Sequence, residues 1–163
     1  MNNILIPFPD KNNFKFFMEN NIDGFIIGIE GYSETFNHLV KMSELNDICK
    51  MLKEKDKKIY IMLNKVYFNK QMDELKKVVR SIEKLDINAL IFSDMSVLNI
   101  VRELGGDPVG VGCIVDRSAG NVDFGVPLIS VLSMEIKSYE AQECPLCKEG
   151  KIPAIKPGSS GKK

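Results

Sequence analysis

The sequence lacks three features that would point to nucleic acid, to a membrane or to secretion. Its 22 basic and 22 acidic residues leave no net charge, so its composition does not indicate binding to nucleic acid or anionic lipid. No apolar run approaches the roughly 20 residues that a membrane-spanning helix needs. The N-terminus also lacks the basic and apolar segments of a secretory signal. We therefore expect a cytoplasmic protein with neither nucleic-acid nor membrane partners.

Cysteine and histidine are scarce as well. Four cysteines, at positions 49, 113, 144 and 147, lack disulfide-framework spacing, which suits a reducing compartment. Cys144 and Cys147 have the two-residue gap that lets two thiolates reach one zinc ion or form a disulfide. A closed zinc site needs four ligands, yet the chain has no second pair and a single histidine, His38. We therefore expect no metal and no cofactor, and we interpret Cys144 and Cys147 as free or oxidised thiols. The alternative is that these two weak metal candidates bind a zinc ion shared across a dimer.

The composition changes abruptly near residue 105. Asparagine occurs 12 times in residues 1–104 and once afterwards, whereas glycine occurs three times before residue 105 and nine times from there on. The step lies at Gly105-Gly106, where a helix is predicted to end, and glycine favours helix ends because it accepts the left-handed conformation. The change indicates two pieces of different origin that are joined without a linker.

The first piece alternates strand and helix patterns. Short apolar runs rich in β-branched and aromatic residues predict parallel strands buried on both faces, at residues 4–6, 25–29, 59–63 and 89–92. Apolar residues at helical spacing follow each run, within residues 14–18, 42–52, 72–85 and 97–104. The pattern predicts four consecutive strand–helix units, since parallel neighbours need such crossovers.

The second piece is predicted to extend the same sheet. Residues 109–115 and 127–132 are apolar runs that predict a fifth and a sixth buried strand. Residues 116–125 carry turn residues and are too short for a helix. We expect one α/β domain over residues 1–163, with pieces at 1–104 and 105–140, an irregular arm at 141–163 and a frayed end at 159–163.

Four segments of residues 1–104 form a recognisable pattern in order and spacing: ILIP at 4–7, NIDGFIIG at 21–28, KIYIMLN at 58–64 and INALIFSD at 87–94. Through these segments, residues 1–104 resemble the N-terminal half of the collagenase-like peptidase family. The resemblance implies a (β/α)-barrel whose first half is formed by the four units. It also places Asn64 and Asp94 on the face where such enzymes carry polar groups, so they are candidates for a remnant site. As alternatives, Asn64 closes a strand end and Asp94 caps the following helix.

Four further segments lie in residues 101–158: VRELGG at 101–106, VGVGCIVDRS at 109–118, VDFGVP at 122–127 and ECPLCKEG at 143–150. Through these segments, residues 101–158 resemble the C-terminal end of the orotate phosphoribosyltransferase family. The resemblance implies that Arg117 matches a position that contacts orotate; the alternative is a solvated turn arginine. It also implies a phosphate-donor site just before the helix at 95–104, with two adjacent carboxylates and a small-residue loop. Here the chain has IFSDMSV at 91–97, with one carboxylate and no glycine, so we expect no transfer.

We interpret the chain as a chimera of two α/β fragments, engineered or fused, that meet in one shared helix. The expected fold class is α/β with a mainly parallel sheet of five to six strands, either doubly wound or a half (β/α)-barrel. We favour the doubly wound form because a half-barrel leaves an apolar sheet face uncovered. Two chains packing their open faces together would also cover it, so a homodimer is the partner state we consider.

No intact active site and no autonomous catalysis are expected, since a complete barrel takes about 250 residues. The first alternative is a truncated member of the peptidase family with weak hydrolase activity. The second is a binding module that holds phosphate or orotate, at residues 64–69 or 93–96, where a helix N-terminus follows a strand. Adventitious phosphate or sulfate is the small ligand that either helix start would attract.

Overall fold

A computed structural model describes residues 4–34, 38–137, 139–140 and 142–150. The chain divides into two compact units, an N-terminal unit of residues 1–107 and a C-terminal unit of residues 108–163. The division lies beside Gly105-Gly106, where the composition changes. The boundary between the units and the change of composition therefore coincide to within a few residues.

The N-terminal unit alternates strands and helices, as the hydrophobic pattern predicts. Its strands are β1 (Leu5–Pro7), β2 (Gly24–Ile29), β3 (Leu39–Val40), β4 (Lys58–Leu63) and β5 (Ala89–Phe92). Its helices are α1 (Lys11–Glu19), α2 (Met42–Glu54), α3 (Met72–Glu83) and α4 (Met95–Glu103), with a 3-10 turn at Asn69–Gln71. The four predicted strand–helix units are confirmed, and β3 is an addition.

All five strands belong to one parallel sheet, which confirms the predicted fold class. The order is β1-β2-β4-β5, and β3 pairs with Gly28 and Ile29 of β2, beyond the residues that pair with β1. A doubly wound sheet reverses its order at one point, whereas the described strands follow the chain. This is the order of the half-barrel alternative and not of the doubly wound form that we favour from the sequence. Connections of three to five residues after α1, α2 and α3 return the chain to the neighbouring strand.

The core lies between the helices and one face of this sheet. Alternate strand residues point to the same face, and on the helix side they are fully buried: Phe25, Ile27, Ile29, Ile59, Ile61 and Leu63. They form one cluster with apolar side chains of α2, α3 and α4. On the other face, Ile26, Tyr60 and Met62 are half-buried. The consecutive apolar runs predict that both faces of the sheet are buried. Within the described residues, burial is complete only on the face that packs against the helices.

Two glycines are required by the backbone of this unit. A Cβ on Gly24 would overlap the carbonyl oxygen of Lys58 on the neighbouring strand, so β2 and β4 approach too closely for a side chain there. Gly105 follows α4 with φ of 84°, a left-handed conformation that favours glycine. The predicted helix end at Gly105-Gly106 is confirmed.

The C-terminal unit contains a separate parallel pair, β6 (Val111–Asp116) and β7 (Leu128–Ser133). Both strands were expected, but the prediction that they extend the first sheet as buried strands is wrong. They pair with each other, and Ile114, Ile129 and Val131 are 77%, 75% and 85% exposed. An apolar run shows that a strand can be buried on both faces, but it does not specify which strand pairs with it.

The arm is partly ordered rather than wholly irregular. A short helix, α5 (Pro145–Glu149), begins after Cys144 and ends at Gly150, whose φ of 66° is left-handed. The pattern there is too short and too polar to predict a helix by periodicity. The frayed end predicted at 159–163 lies outside the described residues.

Candidate functional site

Two of the predicted site residues lie at the same edge of the first sheet. Asn64 directly follows β4, and Asp94 lies two residues beyond β5. Because β4 and β5 are parallel neighbours, their carboxyl ends meet at one edge. The third candidate, Arg117, follows β6 in the C-terminal unit, where its side chain is exposed.

Asn64 binds the backbone of the loop that follows β2. Its Oδ1 accepts the Glu34 backbone N–H at 2.8 Å, and its Nδ2 donates to the Glu34 carbonyl oxygen at 3.0 Å. A side-chain amide that satisfies both groups of one residue imitates the pairing of a neighbouring strand. Asn64 therefore fixes the conformation of the β2 loop at the point where it leaves the sheet.

Asp94 binds two backbone groups, one on each carboxylate oxygen. Oδ1 accepts the Ser96 N–H at 2.8 Å and so caps α4, while Oδ2 accepts the Tyr67 N–H at 2.9 Å in the loop after β4. Hydrogen bonds from the Tyr67 and Ser96 backbone lower the pKa of this carboxyl, because they favour its charged form. The capping role weighed as an alternative for Asp94 is observed, together with a second bond that sequence did not indicate.

A pair of tyrosines extends this arrangement. The Tyr67 hydroxyl donates to the Tyr32 carbonyl oxygen at 2.8 Å, and the Tyr32 hydroxyl donates to Glu74 Oε1 at 2.8 Å. Burial raises the pKa of each phenol to about 12, so both stay protonated donors near neutral pH. Ser33 adds a link: its hydroxyl accepts the Ile29 N–H at 2.7 Å and donates to the Met62 carbonyl.

These bonds join three loops along the sheet edge, which we call the strand-end network. The β2 loop is tied to the β4 loop by Asn64 and Tyr67, and the β4 loop is tied to α4 by Asp94. Sequence reasoning missed Tyr32, Ser33 and Tyr67 because their partners lie about 30 to 40 residues away along the chain. No local motif carries a signal for such contacts.

A groove of about 600 Å³ is lined by residues of α1 and α2. Its apolar wall includes Phe8 and Phe14, and the His38 ring lies 6.2 Å from that of Phe8. Charged side chains of both signs line the rest: Lys11, Lys41, Glu30, Glu44 and Asp47. His38, the single histidine of the chain, is one of the lining residues. The mixed charge favours neither an anion nor a cation.

The residue before Arg117 organises the turn after β6. Asp116 is 7% exposed and accepts hydrogen bonds from the Ser118 hydroxyl and backbone N–H, from the Gly120 N–H and from the Ser133 hydroxyl. Those bonds, chiefly the two from Ser118, lower the pKa of Asp116 to about 2. Asp116 thus holds the turn that presents Arg117, and the arginine itself points outward as a turn residue.

Neither a metal cluster nor a membrane span is formed by the part of the chain that the structure describes. No group of three or more histidine, cysteine, aspartate or glutamate side chains lies close enough together there to hold a metal ion. Over the same residues, no helix combines the length and the apolar character needed to cross a membrane. Cys144 and Cys147 are half-exposed free thiols beside one another at the start of α5.

Fold and site together define an α/β protein built of βα units, with its polar strand-end residues on one edge of a parallel sheet. The family follows from the same unit, because the model of peptidase family U32 matches residues 10–107. The chain belongs to peptidase family U32.

Curated relatives of the chain are orotate phosphoribosyltransferases. One from Caldanaerobacter subterraneus is 51% identical over 86 residues, which cover 53% of this chain and 45% of that protein. One from Thermoanaerobacter sp. strain X514 is 44% identical over 104 residues, 58% of this chain and 54% of that protein. One from Heliobacterium modesticaldum is 56% identical over 63 residues, which cover 39% of this chain and 32% of that protein. The predicted resemblance to two unrelated families is confirmed.

The chain spans about half the length, or less, of the curated relatives it matches. No solved structure gives a significant match to it. The chain thus matches peptidase family U32 and orotate phosphoribosyltransferases, each over part of its length. Such partial matches to two families fit a fused or truncated protein.

Proposed function

We propose that this chain is a fusion of two α/β fragments that has no catalytic activity of its own. The observation that supports this most directly is the strand-end network. Asn64 and Asp94, the candidates for a remnant active site, each bind backbone groups through both of their polar side-chain atoms. A general base must be oriented toward the proton that it removes from the substrate. Here the backbone partners fix the orientation of both side chains, which hold three loops together.

The charge state of Asp94 supports the same proposal. A general acid–base group works best with a pKa near the working pH, which for a carboxyl means a raised value. The two backbone donors lower the pKa of Asp94 instead. An aspartate stabilised as a carboxylate by fixed N–H groups suits a helix cap and is a poor proton donor at neutral pH.

Orotate transfer is unsupported for a related reason. A phosphate donor is held by free backbone N–H groups at the start of a helix. At the start of α4 the Asp94 carboxylate already accepts the Ser96 N–H, and it would repel a phosphate placed there. The second segment weighed for anion binding, 64–69, is occupied similarly, since the Tyr67 and Phe68 N–H groups donate to Asp94 and Gln71.

We further propose a cytoplasmic location, because four cysteines without a disulfide framework suit a reducing compartment. One face of the sheet is only half-buried, and a second copy of the chain packed against it would bury it further. We therefore propose a homodimer as the partner state to examine.

Activity assays on the full chain test the proposal. Purified protein is incubated with orotate and phosphoribosyl diphosphate, and separately with fluorescent gelatin, beside a control without protein. We expect no turnover above that control in either assay. Turnover that is lost in Asp94→Asn would establish a hydrolase or transferase site at the strand ends. Turnover that is lost in Arg117→Ala would establish orotate binding. Either result would refute the proposal.

A further inference from the structure

The C-terminal unit holds two cysteines one helical turn apart. Cys144 immediately precedes α5, and Cys147 lies within it. Both are free thiols. Two cysteines separated by two residues at the start of a helix have the CxxC spacing, in which the two thiols can form one disulfide.

Hydrogen bonds fix the backbone on both sides of the pair. The Cys144 N–H donates to the Glu140 carbonyl at 3.0 Å, and the Lys148 N–H donates to the Cys144 carbonyl at 3.0 Å. The Gly150 N–H closes the helix on the Cys147 carbonyl at 3.2 Å. Pro145, at the first helical position, restricts the turn further. The two thiols are thus presented side by side before any reaction begins.

The pKa values of the two thiols shift in opposite directions. The donors from Cys147 and Leu146 lower the pKa of Cys144, while donating to Cys144 raises the pKa of Cys147. The thiolate is the nucleophile in thiol–disulfide exchange, so Cys144 is the attacking residue. Both are half-exposed, which gives a small reagent access. Cys49 is a contrast within the same chain: it is 4% exposed, and burial raises its pKa to about 11.

We propose that Cys144 and Cys147 form a redox-active dithiol whose substrate class is low-molecular-weight disulfides, such as oxidised glutathione. The Cys144 thiolate attacks one sulphur of the disulfide, a mixed disulfide forms and one thiolate leaves. The Cys147 thiol then loses its proton to solvent and attacks the Cys144 sulphur, which releases the second thiolate. Two electrons pass from the dithiol to the substrate, giving one intramolecular disulfide and two small thiols. This proposal does not depend on the proposed function.

The first test equilibrates the full chain in buffers of varied reduced-to-oxidised glutathione ratio. After acid quenching and alkylation, intact mass and tryptic peptides show which cysteines have reacted. We expect a single transition in which the chain loses two hydrogen atoms and Cys144 and Cys147 become linked. Cys144→Ser and Cys147→Ser each abolish this product, whereas the matched control Cys113→Ser retains it. Four free thiols at every ratio, or linkage through Cys113, would overturn the proposal.

The second test needs no variant and separates this site from an ordinary thiol pair. The reduced chain is treated with a limiting amount of iodoacetamide at neutral pH, and peptide fragmentation assigns the label within the peptide that carries both cysteines. We expect Cys144 to carry several-fold more label than Cys147, and Cys49 almost none. Equal labelling of the pair would overturn the assignment of the attacking residue. A zinc ion that co-purifies and protects both thiols, seen by native mass spectrometry, would show a metal site instead.

Discussion

Replacing Asp94 with alanine removes two backbone hydrogen bonds at once, one to Ser96 at 2.8 Å and one to Tyr67 at 2.9 Å. Loss of a helix cap costs about 1 kcal/mol. The Tyr67 N–H is part-buried, and leaving such a donor unpaired costs about 1–2 kcal/mol, the lower part of the range for buried groups. We therefore expect Asp94→Ala to lower the free energy of unfolding by about 2–3 kcal/mol.

Urea unfolding followed by circular dichroism measures this change, since the chain has no tryptophan for fluorescence. Asp94→Ser retains an oxygen for the cap but loses the second acceptor, so we expect about half the loss. Glu83→Ala is the matched control: it removes an exposed carboxylate at the end of α3 and should change stability by less than about 0.5 kcal/mol. An Asp94→Ala protein as stable as the Glu83→Ala control would refute the structural role of Asp94.

The pH dependence provides an independent check on the same residue. The pKa of Asp94 is lowered by its backbone donors, so its carboxylate stabilises the fold fully above the ordinary aspartate value of 3.8. That contribution is lost as the pH falls through the lowered folded-state pKa. The stability difference between the wild type and Asp94→Ala should therefore be constant near neutral pH and shrink at strongly acidic pH. A difference that grows on acidification would contradict this account.

Two further predictions concern single residues. In urea unfolding, Gly24→Ala should destabilise the N-terminal unit by about 2–3 kcal/mol, because the new Cβ would overlap the Lys58 carbonyl. The control Gly112→Ala has open space at its Cβ and should change stability by less than about 1 kcal/mol. Equal effects of the two substitutions would contradict the close approach of β2 and β4. The Asp116 carboxyl should titrate near pH 2 by carbon NMR, so the turn it holds persists above that pH and loosens below it; a midpoint near pH 4 would show that its four donors are absent in solution.

The strands and helices of the N-terminal unit could be predicted because their signals are local. Residues 25–29 and 59–63 are consecutive apolar runs, and α3 repeats its apolar residues at helical spacing. The family resemblance also made the polar strand-end residues recognisable, since Asn64 directly follows one strand and Asp94 lies two residues beyond the next. A cap such as Asp94 is visible in sequence because its partner is two residues away.

The remaining features depend on contacts between distant residues. The bond from Tyr67 to Asp94 spans 27 residues, and those from Asn64 to Glu34 span 30. Strand pairing in the C-terminal unit was mispredicted for the same reason, because β6 and β7 have the composition of strands that could join either sheet. Strand β3 has two residues, too few for any periodic signal. Sequence pattern specifies which residues form strands, and tertiary packing decides their neighbours.

The most direct test of the central claim is a ligand titration of the isotopically labelled full chain by two-dimensional NMR. Orotate and phosphoribosyl diphosphate are added singly and together while the amide resonances of Glu34, Tyr67, Ser96 and Arg117 are followed. The account predicts that none of these resonances moves, because the strand-end donors are already bound to the protein's own side chains. Saturable shifts at Ser96 and Arg117 in the presence of both ligands would show a composite binding site and contradict it.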